Sequence, residues 1–273
     1  MAALALLTAL AAVWLSGCSL FRPAPPPLGR AEVIRRLRAR SERFRTLVDT
    51  DISLSMTTGI GTDPERSPSL GGHIAFDRRL PGLWLNTEKL GQKVFSLKAL
   101  DMRFSLLLPE TGELVTGGPR AYAKLPFLVR PDEVQAMFAG PDSLGLTEPD
   151  ARMEPTDDRY VFHVDLMGVP YRRVTVAAGT ADLLSIERYD VRGRLITHVE
   201  LGQYGPADGN QFPYRLAVER PLAGVRVELE LDDPKLNKDI PLAAFALHDR
   251  TDFKHINLDY QPLSDVKAFR GEE

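Results

Sequence analysis

Along most of the chain apolar and polar residues alternate with a period of two, and turn residues break the alternation at regular intervals. Strands with one buried and one solvated face leave this pattern. The clearest run is Val225-Arg226-Val227-Glu228-Leu229-Glu230-Leu231. Similar alternation covers 52–56, 72–76, 83–89, 102–108, 160–166, 172–176, 183–191, 195–201 and 214–218, about ten strands in all. Short connectors such as Leu90-Gly91-Gln92, Pro109-Glu110-Thr111-Gly112, Ala178-Gly179-Thr180 and Val191-Arg192-Gly193 join successive runs. Connectors of that length bring sequential strands together as an antiparallel meander.

Two regions follow a helical period instead. Over 30–48, Val33, Ile34, Leu37, Phe44, Leu47 and Val48 recur on one side, while Arg35, Arg36, Arg38, Arg40 and Arg43 fill the other. Such a basic amphipathic helix either lies on anionic lipid or covers a sheet face with its arginines in water. Over 130–139, Pro131 suits a first helical turn and Val134, Met137 and Phe138 share a face. A shorter helix is expected after Pro241. An antiparallel sheet of this size with one apolar face has to be covered. The expected fold is therefore mainly β (α+β): a strongly curved antiparallel sheet or incomplete β-barrel, whose N-terminal and short helices cover or plug the apolar face.

The first residues obey neither rule. Met1 to Trp14 carry no charge, and the apolar run that ends at Leu15-Ser16-Gly17-Cys18 is too short to span a bilayer. That tetrad resembles the lipobox of bacterial lipoproteins. The resemblance implies a signal peptide over 1–17, a diacylglycerol on the Cys18 thiol and, after cleavage, acylation of the new α-amino group; several acyl chains anchor stably where one does not. Ser19 resembles the outer-membrane default of the sorting rule. Four of the five residues from Pro23 to Pro27 are Pro, so 18–30 reads as lipidated Cys and extended tether.

The order of lipobox, tether and amphipathic helix continues into Gly72-His73-Ile74-Ala75-Phe76-Asp77-Arg78-Arg79-Leu80-Pro81-Gly82-Leu83-Trp84-Leu85. This stretch is similar to the early strands of the LolA and LolB superfamily of outer-membrane lipoprotein carriers and receptors. Val227 to Leu231, Leu236-Asn237 and 240–245 resemble its closing strand and terminal segment. The resemblance covers roughly residues 31–247 and implies an unclosed barrel around a cavity for acyl chains, facing the periplasm from the outer membrane. Burying such chains gains roughly 0.8 kcal/mol per CH₂ and needs only apolar walls. The candidate wall residues are Leu83, Leu85, Phe104, Leu106, Tyr160, Phe162, Leu195, Val199, Tyr214 and Leu216. One domain over 31–250 would be followed by a tail, 251–273, mixed in charge and aperiodic.

Chemistry is sparse by comparison. Cys18 is the single cysteine, so no disulfide forms within the chain. The five histidines (73, 163, 198, 248, 255) are scattered, and Gly140 to Gly145 does not have the spacing of a nucleophile elbow. Asp157-Asp158 and Asp232-Asp233 sit where turns are expected. Neither a metal, a cofactor nor a set of catalytic residues is expected. A net charge of −3, from 34 basic and 37 acidic residues, gives no field to collect nucleic acid. The expected partners are the membrane, through the N-terminal lipid, and lipid or lipoprotein acyl chains. The alternative is an accessory outer-membrane lipoprotein that binds other envelope proteins by its surface.

Overall fold

Residues 28–267 are described by a computed structural model. The readings of the signal segment, of Cys18 and of the proline run fall outside the described residues. The first element, α1 (Arg30–Ser41), buries Val33 and Leu37. Its first turn carries Glu32, which Arg35 and Arg36 hold by hydrogen bonds down to a pKa of about 2. The helix stops at Ser41 and does not run to Val48 as the apolar spacing suggests. Arg78 explains the stop, because its Nη1 donates to Ser41 O at 2.6 Å and so satisfies a carbonyl that a longer helix would have used itself. Leu47 and Val48 open a strand instead, with Leu47 opposite Phe76 on one side and Leu236 on the other.

That strand, β1 (Thr46–Thr58), begins the first wing of one large sheet: β2 (Glu65–Arg66), β3 (Leu70–Asp77), β4 (Gly82–Lys89), β5 (Gln92–Leu100), β6 (Arg103–Leu108) and β7 (Glu113–Gly117). The second wing holds β8 (Arg152–Pro155), β9 (Arg159–Leu166), β10 (Val169–Ala177), β11 (Leu183–Tyr189), β12 (Leu195–Ala207), β13 (Asn210–Arg220) and β14 (Val225–Leu231). The short β15 (Lys235–Leu236) pairs with β1, and β16 (Lys254–Asn257) lies at the edge. Neighbours run β16-β7-β6-β5-β4-β3-β1-β14-β13-β12-β11-β10-β9-β8. Each wing is a meander, and antiparallel pairing of β1 with β14, Leu54 opposite Leu229, joins the wings in the middle.

Among the described residues the sheet has 16 strands, against about ten expected. In β5 the inward positions include Ala99, too small to mark a period, and a register shift interrupts its pairing with β4. The aperiodic stretch after 250 supplies β16, which pairs in parallel with β7 and buries Ile256, while Leu258 and Val266 pack nearby in the core. Four residues are too few to show alternation. The expectation of a mainly β fold with an N-terminal helix and few short helices agrees with the structure.

Between β7 and β8 the chain must pass from one wing to the other. Residues 118–151 make the crossing over the apolar face, through a 3₁₀ turn (Ala121–Lys124), α2 (Pro131–Val134) and a second 3₁₀ turn (Gln135–Phe138). The helix expected over 130–139 is thus one α turn and one 3₁₀ turn, with Pro131 in the first turn as its missing N–H dictates. After Pro241 a 3₁₀ turn (Leu242–Phe245) takes the place of the expected helix.

Candidate functional site

Alternation in each strand points one set of side chains at this crossing segment, the plug. On the first wing Leu83, Leu85, Phe104 and Leu106 are buried; on the second, Tyr160, Phe162, Val199 and Leu216 are. The structure gathers these eight into one core. Leu195 and Tyr214, the other two sequence candidates, are half-buried, and the Tyr214 hydroxyl donates to Pro206 O at 2.7 Å.

The plug packs on the apolar face of both wings. Phe138 is its centre: the ring lies 5.2 Å from Phe76 on β3, 5.5 Å from Phe212 on β13 and 6.4 Å from Phe44. Tyr122 packs on Phe104 at 4.7 Å, and burial pushes its hydroxyl pKa up. Above Phe138, between the C-terminal turn of α1 and the plug, a cavity of about 260 Å³ is lined by Arg38, Ser41, Arg78, Gln135, Phe138 and Asp142, among others. That is below the roughly 300–1,000 Å³ of sites that enclose a small ligand. A long acyl chain fits only if the plug moves.

One-turn helices cannot hold themselves in place, since nucleation costs more than so few hydrogen bonds return. Arginines do the fastening. Arg220, buried at the end of β13, donates to Pro126 O at 2.5 Å, Leu128 O at 2.9 Å and Glu133 Oε1 at 2.5 Å. Glu133 also accepts from Arg130 N, and burial raises its pKa while the neighbouring Arg220 opposes the rise. Arg188 on β11 pairs with Asp132 at 2.9 Å, and Arg172 on β10 donates to Ser143 O at 3.0 Å. From α1, Arg30 reaches Leu146 O and Glu148 O, and Arg38 reaches Asp142. Arg78 donates to Phe138 O at 3.2 Å as well as to Ser41 O. Arginine suits the task because its planar fork serves several carbonyls at once.

The opposite face of β9 to β13 holds a second concavity, about 510 Å³, lined by Arg159, Arg173, Glu187, His198, Glu200 and Arg215 among others. Its carboxylates are already answered. Glu187 is bound by Arg173 and the Tyr189 hydroxyl, and Glu200 by Arg226 at 2.5 Å. Among the described residues no three His, Cys, Asp or Glu side chains converge as metal ligands. His255 Nε2 is within 2.7 Å of Arg250 O, and Asp232 and Asp233 present their backbone N–H groups to Asp49. The Asp232-Asp233 pair thus sits at a corner whose backbone is held by Asp49, from the distant strand β1.

No protein-family model and no curated protein matches the chain. Solved structures do. A LolA superfamily protein from Nitrosomonas europaea superimposes with a TM-score of 0.51 at 14% identity, over 80% of this chain and 98% of that one. The chain shares the fold of that protein. A Vibrio parahaemolyticus domain named for outer membrane lipoprotein sorting gives 0.48 at 14% identity over 79% and 95% of the two chains. A DUF1329 family protein from Desulfovibrio piger gives 0.47 at 13%, over the same shares.

Sequence reasoning picked out eight residues that the structure buries beneath the plug and missed the plug's fastening. Arg220 closes an alternating strand just before Pro221 and looks like any outward cation; its partner Glu133 lies 87 positions away. Pro131 and the helical spacing of Val134, Met137 and Phe138 were the local signs of the plug.

Proposed function

We propose that this chain is a lipid-anchored envelope protein that binds a hydrophobic ligand, a lipid or the acyl chains of another lipoprotein, between its sheet and its plug, without chemistry on it. The carrying observation is the mostly polar cavity of about 260 Å³ that Phe138 helps to line, beside a four-ring aromatic cluster and a plug made of single turns. An entering acyl chain would replace Phe138 and its neighbours against the same walls, so apolar contacts are exchanged and not lost. In this reading the wings bend around the ligand as an incomplete barrel, and the arginine contacts reform after release. Cys18 holds the domain to the outer membrane on its periplasmic side, and 18–30 is the tether. The LolA-like fold supports the reading by its shape alone.

The test is native mass spectrometry of the full chain expressed in a bacterial host, with extraction of whatever lipid it carries. The expected result is lipid at near one per chain, lost in Leu85→Glu and Phe162→Glu variants that still show the β-sheet circular dichroism of the parent. A folded parent that carries no lipid, and takes up none when offered phosphatidylethanolamine, overturns the proposal in favour of an accessory protein that works through its surface.

A further inference from the structure

In each wing successive strands run in opposite directions, so alternate turns gather at the same end of the sheet. Pairing Thr57 with Arg226, His198 with Glu219 and Arg172 with Arg188 puts the turns 167–168, 190–194 and 221–224 together at one end. Each of these three hairpins ends on an exposed apolar side chain: Met167 is 97% exposed, Val191 89% and Leu222 60%. Leu166, Val169 and Tyr171 flank the first of them and are exposed as well. By the registers of β3 with β4 and of β1 with β3, the turn that carries Leu90, 97% exposed, lies at this end too. Among the described residues the turns at the other end of the sheet, 78–81, 101–102, 178–182 and 208–209, have no exposed large apolar residue.

Leu242 and Tyr260 are exposed toward the other end, 59% and 88%, but neither sits on a hairpin tip of the sheet, whereas on this rim three successive tips each carry one. Scattered apolar residues on a surface need no explanation, but such a row does. The local backbone aims them outward. Met167 and Gly168 both have positive φ, 53° and 78°, as a two-residue hairpin requires, and Gly193 and Gly224 close the other two turns at φ 72° and 61°. Successive hairpins stand two strand spacings apart, roughly 10 Å. Side chains on separate tips at that spacing form a comb and not a continuous face. A partner protein would need a separate pocket for each tooth, whereas fluid hydrocarbon accepts each one singly. On the middle tip Arg194 is paired with Asp190 at 2.8 Å, and the exposed Arg192 is the cation placed for a headgroup phosphate.

The chain upstream of the fold can bring a membrane there. Leu28 N donates to the Tyr160 hydroxyl at 2.7 Å, so the chain enters beside β9, whose far end is Leu166. Six residues of strand separate the two, roughly 20 Å. From Cys18 to Leu28 a Pro-rich spacer reaches up to about 31 Å, so an anchor at Cys18 leaves the rim free to touch the bilayer that holds it.

We propose that the rim formed by Met167, Val191 and Leu222, with Leu166 and Tyr171, inserts into the surface of a phospholipid bilayer and sets the orientation of the domain on it. The inference depends on the lipoprotein reading only for the supply of that bilayer. The full chain is purified with a polarity-sensitive dye on a Met167→Cys variant, or on an Asp208→Cys variant from the opposite end. Each is mixed with vesicles of phosphatidylethanolamine and phosphatidylglycerol whose acyl chains are brominated to quench the dye. Quenching several-fold stronger at 167 than at 208, and lost when Val191→Asp and Leu222→Asp are added, is the expected result. Equal, weak quenching at both positions overturns the proposal, as does a blue shift at 167 that grows with protein concentration in the absence of vesicles, which would make the rim a contact between copies. The intact mass reports acylation of Cys18 separately, and a Cys18→Ser chain measured at high vesicle excess shows whether the rim engages lipid without the anchor.

Discussion

Arg220 offers the sharpest test of how the plug is held. Arg220→Met keeps most of the aliphatic stem and removes the guanidinium, which leaves Glu133 buried without its cation and Pro126 O and Leu128 O without their donor. Both charged side chains are nearly inaccessible, Arg220 6% and Glu133 4% exposed. Removing one partner of a buried pair costs about 3–5 kcal/mol, because the other charge remains out of water. The two carbonyls would add about 1–3 kcal/mol each if they stayed dry. They need not stay dry, since the plug can lift and hydrate them, so the loss is limited by the cost of opening the plug. The expected drop in unfolding free energy is about 3 kcal/mol, measured by urea denaturation. Native-state hydrogen exchange should locate the effect: amides of 121–138 exchange about a hundredfold faster, as roughly 1.4 kcal/mol per factor of ten requires, while those of β13 and β14 change less. Adding Glu133→Leu removes the stranded charge and should restore most of the loss. If the single variant is as stable as the parent, or if exchange rises evenly across the sheet, the plug is not held by this pair.

Four further outcomes follow from the packing. Phe138→Ala should cost about 3–5 kcal/mol in urea denaturation and raise the lipid carried per chain, since it empties the centre of the aromatic cluster. Gly82→Ala places a methyl 2.8 Å from the buried Phe245 ring, and overpacking of that kind costs about 1–3 kcal/mol, readable as a lower Tm. Asp49→Ala strips an acceptor shared by the backbone N–H groups of Asp51, Asp232 and Asp233 at the corner after β14, and a loss of about 2–4 kcal/mol is expected from the same denaturation measurement. His248 is held neutral by burial and by the nearby Lys98, which take its pKa down to about 4. The unfolded chain therefore binds that proton first, and stability falls as pH drops from about 6.5 toward 4; His248→Gln should remove about 1 kcal/mol of that loss, allowing for the partial exposure of the ring.

Side-chain direction along a strand is a local matter, and what depends on it was legible in the sequence. The faultless alternation of Val225 to Leu231 is the alternation of buried and half-buried residues in β14. Eight of the ten wall candidates are buried for the same reason. Pro131 marked the start of α2, because a missing N–H is tolerated there and nowhere deeper. Spacing alone misled at Leu47 and Val48, which satisfy a helical period and a strand period equally; their neighbours Phe76 and Leu236 decided for the strand.

What needed the tertiary structure is whatever depends on two distant segments arriving together. No local pattern tells β1 to sit beside β14, or the stretch after 250 to add β16 to β7, because backbone hydrogen bonding is indifferent to sequence and only the shared apolar face selects the partner. Whether the walls enclose space or a plug is a matter of volume, set by where Phe138 and Tyr122 land. Period and facing belong to the chain itself. The pairing of Arg220 with Glu133 and the gathering of Met167, Val191 and Leu222 on one rim exist only once the strands have taken their order, since each joins residues that are neighbours in space and strangers in sequence.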